Sequence, residues 1–462
     1  MENIKLTKET INKAKNGISF FLLTLWMIIP ILQSFRSLIK YRRMIILQVN
    51  LLSIIGIIGA ILGVIYIFFK IEKSDNKKQI LKEMIPIFIL VLYMIWTLIS
   101  CFLADSKQLA FEGTYYRKEG YYTYIYYAGF FLLAYMLDSK KLRKILLNIF
   151  FAMSTFIVTI SMISKGYRFT NIFANTNMDN TVFQQFNHYG YFLTMALINA
   201  FGLFVTEKKK ILKVVYLISF ALMTYALMYN NTFGCYLAVI ATIILYFIYS
   251  IIKKKNRLMT IIAIIVFGII SCMVTKNGIH LLSRNIQKLS SDLTAIINKF
   301  TTSDVIIDNE NATEEEIAKQ EQAILDREWL FKHAGSSRMD LWRYGLKFVQ
   351  ESPIIGYGPE NLGKQYGSVK IDQDRPHNLL IQLATTSGIP GMLLYVSAVG
   401  IIIITAVVKL IKKNHTGDIF LIIVIAYLIS AMFGNSMYYT SPYFFIFLGS
   451  LMKCNSFKES EE

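Results

Sequence analysis

The chain has 462 residues, 55% of them hydrophobic and only 17% charged, with a formal net charge of +18. A water-soluble fold needs more charge on its surface, so an ordinary soluble domain is excluded and a lipid bilayer is the natural solvent. The basic residues sit in short patches between apolar runs rather than on one folded face, which argues against a nucleic-acid partner and for topogenic signals and contact with anionic lipid.

Uncharged apolar runs long enough to cross roughly 30 Å of hydrocarbon recur along the whole chain. Twelve are counted, near residues 17–33, 44–69, 84–104, 121–138, 145–163, 188–205, 214–230, 233–252, 258–275, 379–408, 419–437 and 440–452. The expected fold is therefore all-α, a polytopic integral membrane protein with about 12 transmembrane helices. The first run and its basic flank mimic a secretory signal, but no small-residue cleavage site follows Gln33, so an uncleaved anchor is expected. The tenth run is long and carries Gly388, Pro390 and Gly391, where a break or a re-entrant turn is expected.

Lys and Arg are retained in short cytoplasmic loops during insertion. Five alternate patches fall on one side: Lys70 to Lys82, Lys140 to Lys144, Lys208 to Lys213, Lys253 to Arg257, and Lys409 to Lys413. That places both termini in the cytoplasm of a plasma (inner) membrane protein, with Arg36, Lys40, Arg42 and Arg43 as the exception after the first run. The chain then divides into nine N-terminal spans over residues 1–275, a large extracytoplasmic loop over 276–376, and three C-terminal spans over 377–462.

The loop holds 15 of the 30 acidic residues and 13 of the 48 Lys and Arg, so it is nearly neutral. Ala312 to His333 reads as a helix opened by a Thr313-x-x-Glu316 capping box. A second helix is expected from Ser336 or Ser337 through Arg338, Trp342, Leu346 and Val349 to Ser352-Pro353. The turn Pro353-Ile354-Ile355-Gly356-Tyr357-Gly358 lacks the Gly-Lys-Ser/Thr ending of a nucleotide phosphate loop. Cys101, Cys235, Cys272 and Cys454 show no metal-ligand spacing and read as small packing residues.

The spans carry almost no ionisable residues, which argues against an ion-driven pump. Polar groups gather instead at the outer ends, where an enzyme acting on a membrane-anchored, outward-facing substrate would need them. One cluster runs from Glu112 through Arg117 and Glu119 into a row of tyrosines from Tyr121. Another runs from Arg168 to Asn187-His188-Tyr189-Gly190; a third is Ser336-Ser337-Arg338; the fourth is Asp372-Gln373-Asp374-Arg375-Pro376-His377-Asn378. Tyrosine rings suit either sugar stacking or the interfacial belt, and arginine suits either a phosphate or a lipid headgroup. His377 has the one chemistry that titrates near neutral pH beside the tenth span, although a loop histidine is commonly structural. Asp372-x-Asp374 in a charged loop is a weak metal signature.

Arg338-x-x-x-Trp342, Pro353 to Gly358, His377-Asn378 and Gly388-Ile389-Pro390-Gly391, in this order, resemble the O-antigen ligase and polysaccharide polymerase family of bacterial envelope enzymes. Arg117-x-x-Gly120 and Asn187 to Gly190 also look like landmarks of that family. The resemblance implies a scaffold like the membrane glycosyltransferase C class, working without metal or other cofactor. It implies transfer of an undecaprenyl-pyrophosphate-linked glycan to a sugar hydroxyl, with His377 and Arg338 as catalytic residues. Arg117, Arg168, Asn187, His188, Arg375 and Asn378 would bind substrate. Many relatives carry Ser-Arg-Gly after the seventh span, where this chain has Asn231-Thr232-Phe233-Gly234, so Arg117, Arg168 or Arg375 would supply the missing charge. A composition rich in Ile, Lys, Asn and Tyr favours a surface-polysaccharide polymerase over a ligase; a carrier without glycosyl transfer is the reading of a different class. Membrane lipids and other glycan-assembly proteins are the further expected partners.

Overall fold

The computed structural model describes residues 8–35, 41–166, 178–179, 181–183, 185–301, 314–412 and 417–456. Each of the twelve apolar runs is a helix: α1 Lys8–Ser34, α2 Tyr41–Glu72, α3 Lys77–Leu103, then a short α4 Lys107–Glu112, α5 Tyr121–Met136, α6 Lys140–Gly166, α7 Phe186–Thr206, α8 Lys210–Asn230, α9 Phe233–Ile252 and α10 Arg257–Met273. A two-stranded antiparallel ribbon, β1 Thr275–Lys276 with β2 Ile279–His280, leads into α11 Leu281–Thr301 and α12 Glu314–Glu351. A short α13 Gly363–Ser368 precedes α14 Leu379–Lys412, α15 Asp418–Ala431 and α16 Ser441–Cys454.

Eight of these helices (α1, α2, α3, α6, α7, α8, α9 and α14) are long and apolar enough to cross a bilayer, and α10 and α15 are shorter apolar helices. Lipid is the only solvent that suits their outer faces. On α2, Ile54, Ile57, Ile61, Val64, Ile65 and Phe68 are all exposed, as are Val91, Leu92, Ile95 and Ile99 on α3. In water such a band would be an aggregation surface.

Inside the bundle, α7 is the central column, 94% buried along its apolar window, with α8, α9 and α15 packed on it. Helices cannot be driven together in lipid by apolar burial alone, so close backbone approach through small residues takes over. The α2–α5 contact does this at Gly56 and Gly129: a Cβ on Gly129 would lie 1.9 Å from the Gly56 carbonyl oxygen.

The expected break in the tenth run is present. Gly388 adopts φ +69° and ψ 174°, splitting α14 into two helical segments. A Cβ there would stand 2.0 Å from the Ile354 carbonyl oxygen, so only glycine fits. The carbonyls and amides freed by the break are met by the Pro353 to Gly358 turn: Ile389 N donates to Pro353 O (2.7 Å), Tyr357 N to Thr385 O (2.8 Å), and Gly358 N to Thr386 O (2.9 Å). Trp96 and Ser100 of α3 close the remaining groups, Trp96 Nε1 donating to Ser387 O (2.9 Å) and Ser100 Oγ to Ile355 O (2.7 Å). Two motifs read as family landmarks thus bind each other and fix the 353–358 turn onto α3 and α14.

α12 is continuous only in outline. Gly335, Ser336 and Ser337 all take left-handed φ values (61°, 60° and 64°), so the expected second helical segment begins at Arg338, just after the Ser336 or Ser337 start expected from sequence. The capping box at Thr313 lies outside the described residues. α11, to which the sequence reading assigned no helix, opens directly from the ribbon and pairs with α12, with Lys299 against Glu328.

Candidate functional site

One end of the bundle gathers the N-termini of α5, α7, α14 and α16 and the C-termini of α3 and α15. Three connecting segments cross it: 113–120, 369–378 and 432–440. Between them lies a polar cleft of about 330 Å³ whose lining includes Arg117, Asn187, His188, Arg375, His377 and Asn435. Five of the eight site residues inferred from sequence therefore meet in one place, although they come from three distant stretches of chain.

Arg375 is the most buried of the cleft cations, 4% exposed. Its Nη1 donates to Ser436 O (3.3 Å), its Nη2 pairs with Glu360, and its Nε finds no protein partner. Burial, and then the neighbouring Arg117, bring its pKa down to about 10, so it remains charged at neutral pH. Arg117 donates from Nε (3.2 Å) and Nη2 (3.1 Å) to the same Glu360 oxygen and also pairs with Asp374. Behind Arg375 sits Glu119, 2% exposed, which accepts from Tyr127 OH and from Ser436 Oγ (3.2 Å). Burial pushes the Glu119 carboxyl up, while Arg375 opposes that rise.

His377 is placed by a left-handed backbone (φ +52°), a conformation that a non-glycine residue holds only where its surroundings insist on it. Its Nδ1 lies 3.1 Å from the Arg375 carbonyl oxygen. Donation to a carbonyl requires the proton on Nδ1, which leaves Nε2 with the lone pair. Burial lowers the pKa of His377, and Arg338 and Arg375 lower it further, so the ring is neutral at pH 7. His188 is buried beside it, with its ring against Tyr191 (5.7 Å) and Tyr439 (5.9 Å) and its Nδ1 unpartnered. The Oδ1 of buried Asn187 is likewise unpartnered.

The remaining three residues stand apart from the lining. Arg338 is at the flank, donating from Nε to Phe433 O (3.1 Å) and from Nη1 to Gly335 O (3.0 Å), in no ion pair among the described residues. Its charge still acts on His377 and Tyr191. Asn378 is spent on architecture: Oδ1 caps α14 by accepting from Leu380 N (3.0 Å) and Ile381 N (3.1 Å), and Nδ2 donates to Met432 O (3.1 Å). Arg168 lies outside the described residues.

Sequence reasoning missed the carboxylates Glu360 and Glu119 as partners of the cleft arginines, and the 432–440 connection as a wall. Asn231-Thr232, where the resemblance implied an arginine, is a turn against α7: the adjoining Asn230 donates to Phe186 O (2.9 Å), and Thr232 donates to Asn230 (2.6 Å).

Residues 218–396 match the family model described as O-antigen ligase. The match supports the O-antigen ligase and polymerase family for this chain. It runs from α8 to the middle of α14 and so contains Arg338, the Pro353 to Gly358 turn, Arg375 and His377. Arg117, Asn187 and His188 lie before it and join those residues only in three dimensions. No curated protein matches the chain.

Proposed function

We propose that the protein is a membrane glycan transferase that moves an undecaprenyl-pyrophosphate-linked glycan onto a sugar hydroxyl, acting as a surface-polysaccharide polymerase. The carrying observation is the junction of two unlike cavities. The polar cleft, with its arginines and histidines, borders an apolar groove of about 70 Å³ lined by Leu90, Tyr93, Met94, Tyr124, Phe444 and Phe445 among others. Ser436 links the two: it lines the groove, its neighbours Asn435 and Met437 line the cleft, and its carbonyl accepts from the cleft residue Arg375. A pyrophosphate fits the first environment and a polyprenyl chain the second, which is the amphipathic outline of the lipid-linked donor.

The chemistry follows from the charges. The acceptor oxygen attacks the anomeric carbon as its proton passes to Nε2 of His377. The bond from that carbon to the pyrophosphate oxygen breaks, and the pair of electrons stays on the pyrophosphate. Arg117, Arg375 and the flanking Arg338 sit where that charge develops, already oriented and partly desolvated, so their stabilisation grows in the transition state. Asn187 and His188, buried with unpaired polar atoms, would hold sugar hydroxyls or phosphate oxygens.

Purified protein, lipid-linked repeat units and a gel readout of chain length test the reading. Polymer ladders are expected. Conjugation of one unit to a lipid without chain growth would make it a ligase, and transbilayer movement of intact donor without glycosyl transfer would make it a carrier. The cleft is expected to face the outside. In a Cys272→Ser background, an impermeant maleimide should label Ser290→Cys in intact cells and leave Lys254→Cys unlabelled; the reverse would invert the topology.

A further inference from the structure

The two cleft arginines are not held in the same way by their carboxylates. Glu360 is the shared one: its Oε2 takes both Nε and Nη2 of Arg117, at 3.2 and 3.1 Å, and its Oε1 pairs with Nη2 of Arg375. Its side chain is 1% exposed. Among the described residues, Asp374 pairs with Arg117 alone, and its side chain is 36% exposed. Glu119 stands against Arg375 alone, from behind.

The backbone beneath Glu360 is fixed as firmly as the side chain. It takes a left-handed φ of +59°. On one side, Gly358 is bonded into α14 through Thr386 O (2.9 Å). On the other, Asn361 accepts from Ser106 N (2.9 Å) and donates to Ser106 O (3.2 Å) and Pro359 O (2.8 Å), locking the turn onto the start of α4.

Arg375 is buried at 4% exposed and Arg117 is 29% exposed, so solvent screens the repulsion between the two guanidinium groups only in part. A carboxylate between them removes the repulsion and, because it forks to both, also sets their spacing and tilt. Asp374, at the cleft wall and open to solvent, can leave Arg117 at little cost.

We infer that Glu360 is a positioning residue that presents Arg117 and Arg375 as one rigid two-guanidinium cradle for the donor's pyrophosphate, while Asp374 is the exchangeable carboxylate that the incoming phosphate displaces. This rests on the transferase reading for the identity of the donor, but the anion cradle itself is testable without transfer. Glu360→Gln keeps the shape and removes the charge. Its KM for lipid-linked donor should rise about tenfold or more, the usual consequence of losing a charge-assisted bond. Binding of inorganic pyrophosphate to the purified full-length protein should weaken by a similar factor. A merely structural role would lower the active fraction, and with it the apparent kcat, while leaving KM in place.

Glu360→Asp keeps the charge but cannot span both arginines, so KM should stay raised. Asp374→Asn removes a competitor and should tighten pyrophosphate binding. If Glu360→Gln fails to accumulate in the membrane, Glu360→Asp carries the test by the same two readouts. Unchanged KM and pyrophosphate affinity in Glu360→Gln would overturn the inference. So would full rescue by Glu360→Asp, which would reduce Glu360 to a charge, or equal weakening in Asp374→Asn. A wild-type protein that binds pyrophosphate but forms no glycan product would remove the transferase reading and leave the cradle standing.

Discussion

The two ends of the helix bundle both concentrate charge, yet they spend it differently. At the end opposite the cleft, Asp138 is held between Lys15 of α1 and Lys453 of α16. Lys70 of α2 meets Glu83 of α3 at 3.5 Å and donates to Tyr135 OH at 2.7 Å. Arg143 places Nη1 on the Leu137 (2.8 Å) and Asp138 (2.7 Å) carbonyls. These charges close on one another and tie neighbouring helices together. At the cleft end, Arg375 Nε, His188 Nδ1 and Asn187 Oδ1 are buried without protein partners. An unpaired buried polar atom costs on the order of 1–3 kcal/mol, so water or a ligand is expected to meet these three in the cleft. Charge at one end is fastening; at the other it is held ready.

The sharpest way to break that contrast is His377→Ala. If the cleft performs the chemistry, product formation should fall by about a hundredfold or more, the usual loss on removing a general base, while pyrophosphate affinity stays near that of the wild type. Membrane abundance must match the wild type for the comparison to count. The pH profile adds a sign. The neutral ring is the active form, and burial, Arg338 and Arg375 lower its pKa below 6.5. Activity should therefore persist to lower pH than an ordinary imidazole allows and fall as pH drops through the lowered value. Full-length product at the wild-type rate from the Ala variant would sink the base assignment.

Arg338 comes next in expected effect. Its guanidinium uses Nε and Nη1 on two different carbonyls, at 3.1 and 3.0 Å, a fork that a lysine ammonium cannot reproduce. Arg338→Lys should therefore lose nearly as much activity as Arg338→Ala, roughly ten- to a hundredfold, if each charge-assisted contact in the transition state is worth 1.5–3 kcal/mol. In the Ala variant the acid limb of the profile should also move up toward 6.5, because a cation that holds the His377 pKa down is gone. In the Lys variant it should stay low. Near-normal glycan assembly in both variants would remove Arg338 from the site.

How much of this was legible in the sequence depends on whether the signal was local. Apolar runs bounded by lysines are local, and all twelve are helices. The break at Gly388 and, to within a residue or two, the start of the second segment of α12 are local as well, marked by Gly-Ile-Pro-Gly and by a Gly-Ser-Ser triplet. His377 and Arg375 were singled out because an imidazole and a guanidinium are conspicuous beside an apolar run. The pairings were not legible: Glu360 lies 243 positions from Arg117 and looked like one more acid in a neutral loop. Asn378 was read as a binding residue because it sits next to His377, whereas its amide is consumed in capping α14 and holding Met432 O. α11 escaped because its composition is mixed and no cap announces its start.

The smallest expected effect on catalysis is at the far end, and it is the control on which the contrast depends. Asp138 is 30% exposed, and its two lysines are 11% and 10% exposed, so Asp138→Asn strands two largely buried ammonium groups. Breaking a buried pair costs about 3–5 kcal/mol; with the carboxylate partly solvated, about 1–3 kcal/mol is the reasonable expectation. The variant should lose thermal stability in detergent and be less abundant in the membrane. Per molecule of folded protein, donor KM and kcat should stay within about threefold of wild type, because among the described residues no cleft residue pairs with this cluster. Lys15→Met combined with Asp138→Asn should recover part of the lost stability, since replacing a stranded charge by an apolar side chain removes the desolvation penalty. A selective rise in donor KM with stability intact would mean that the two ends are coupled through α5 and α16, the helices that run from Asp138 and Lys453 up to Glu119 and Ser436. Far-end charge would then be part of the catalytic apparatus rather than its fastening.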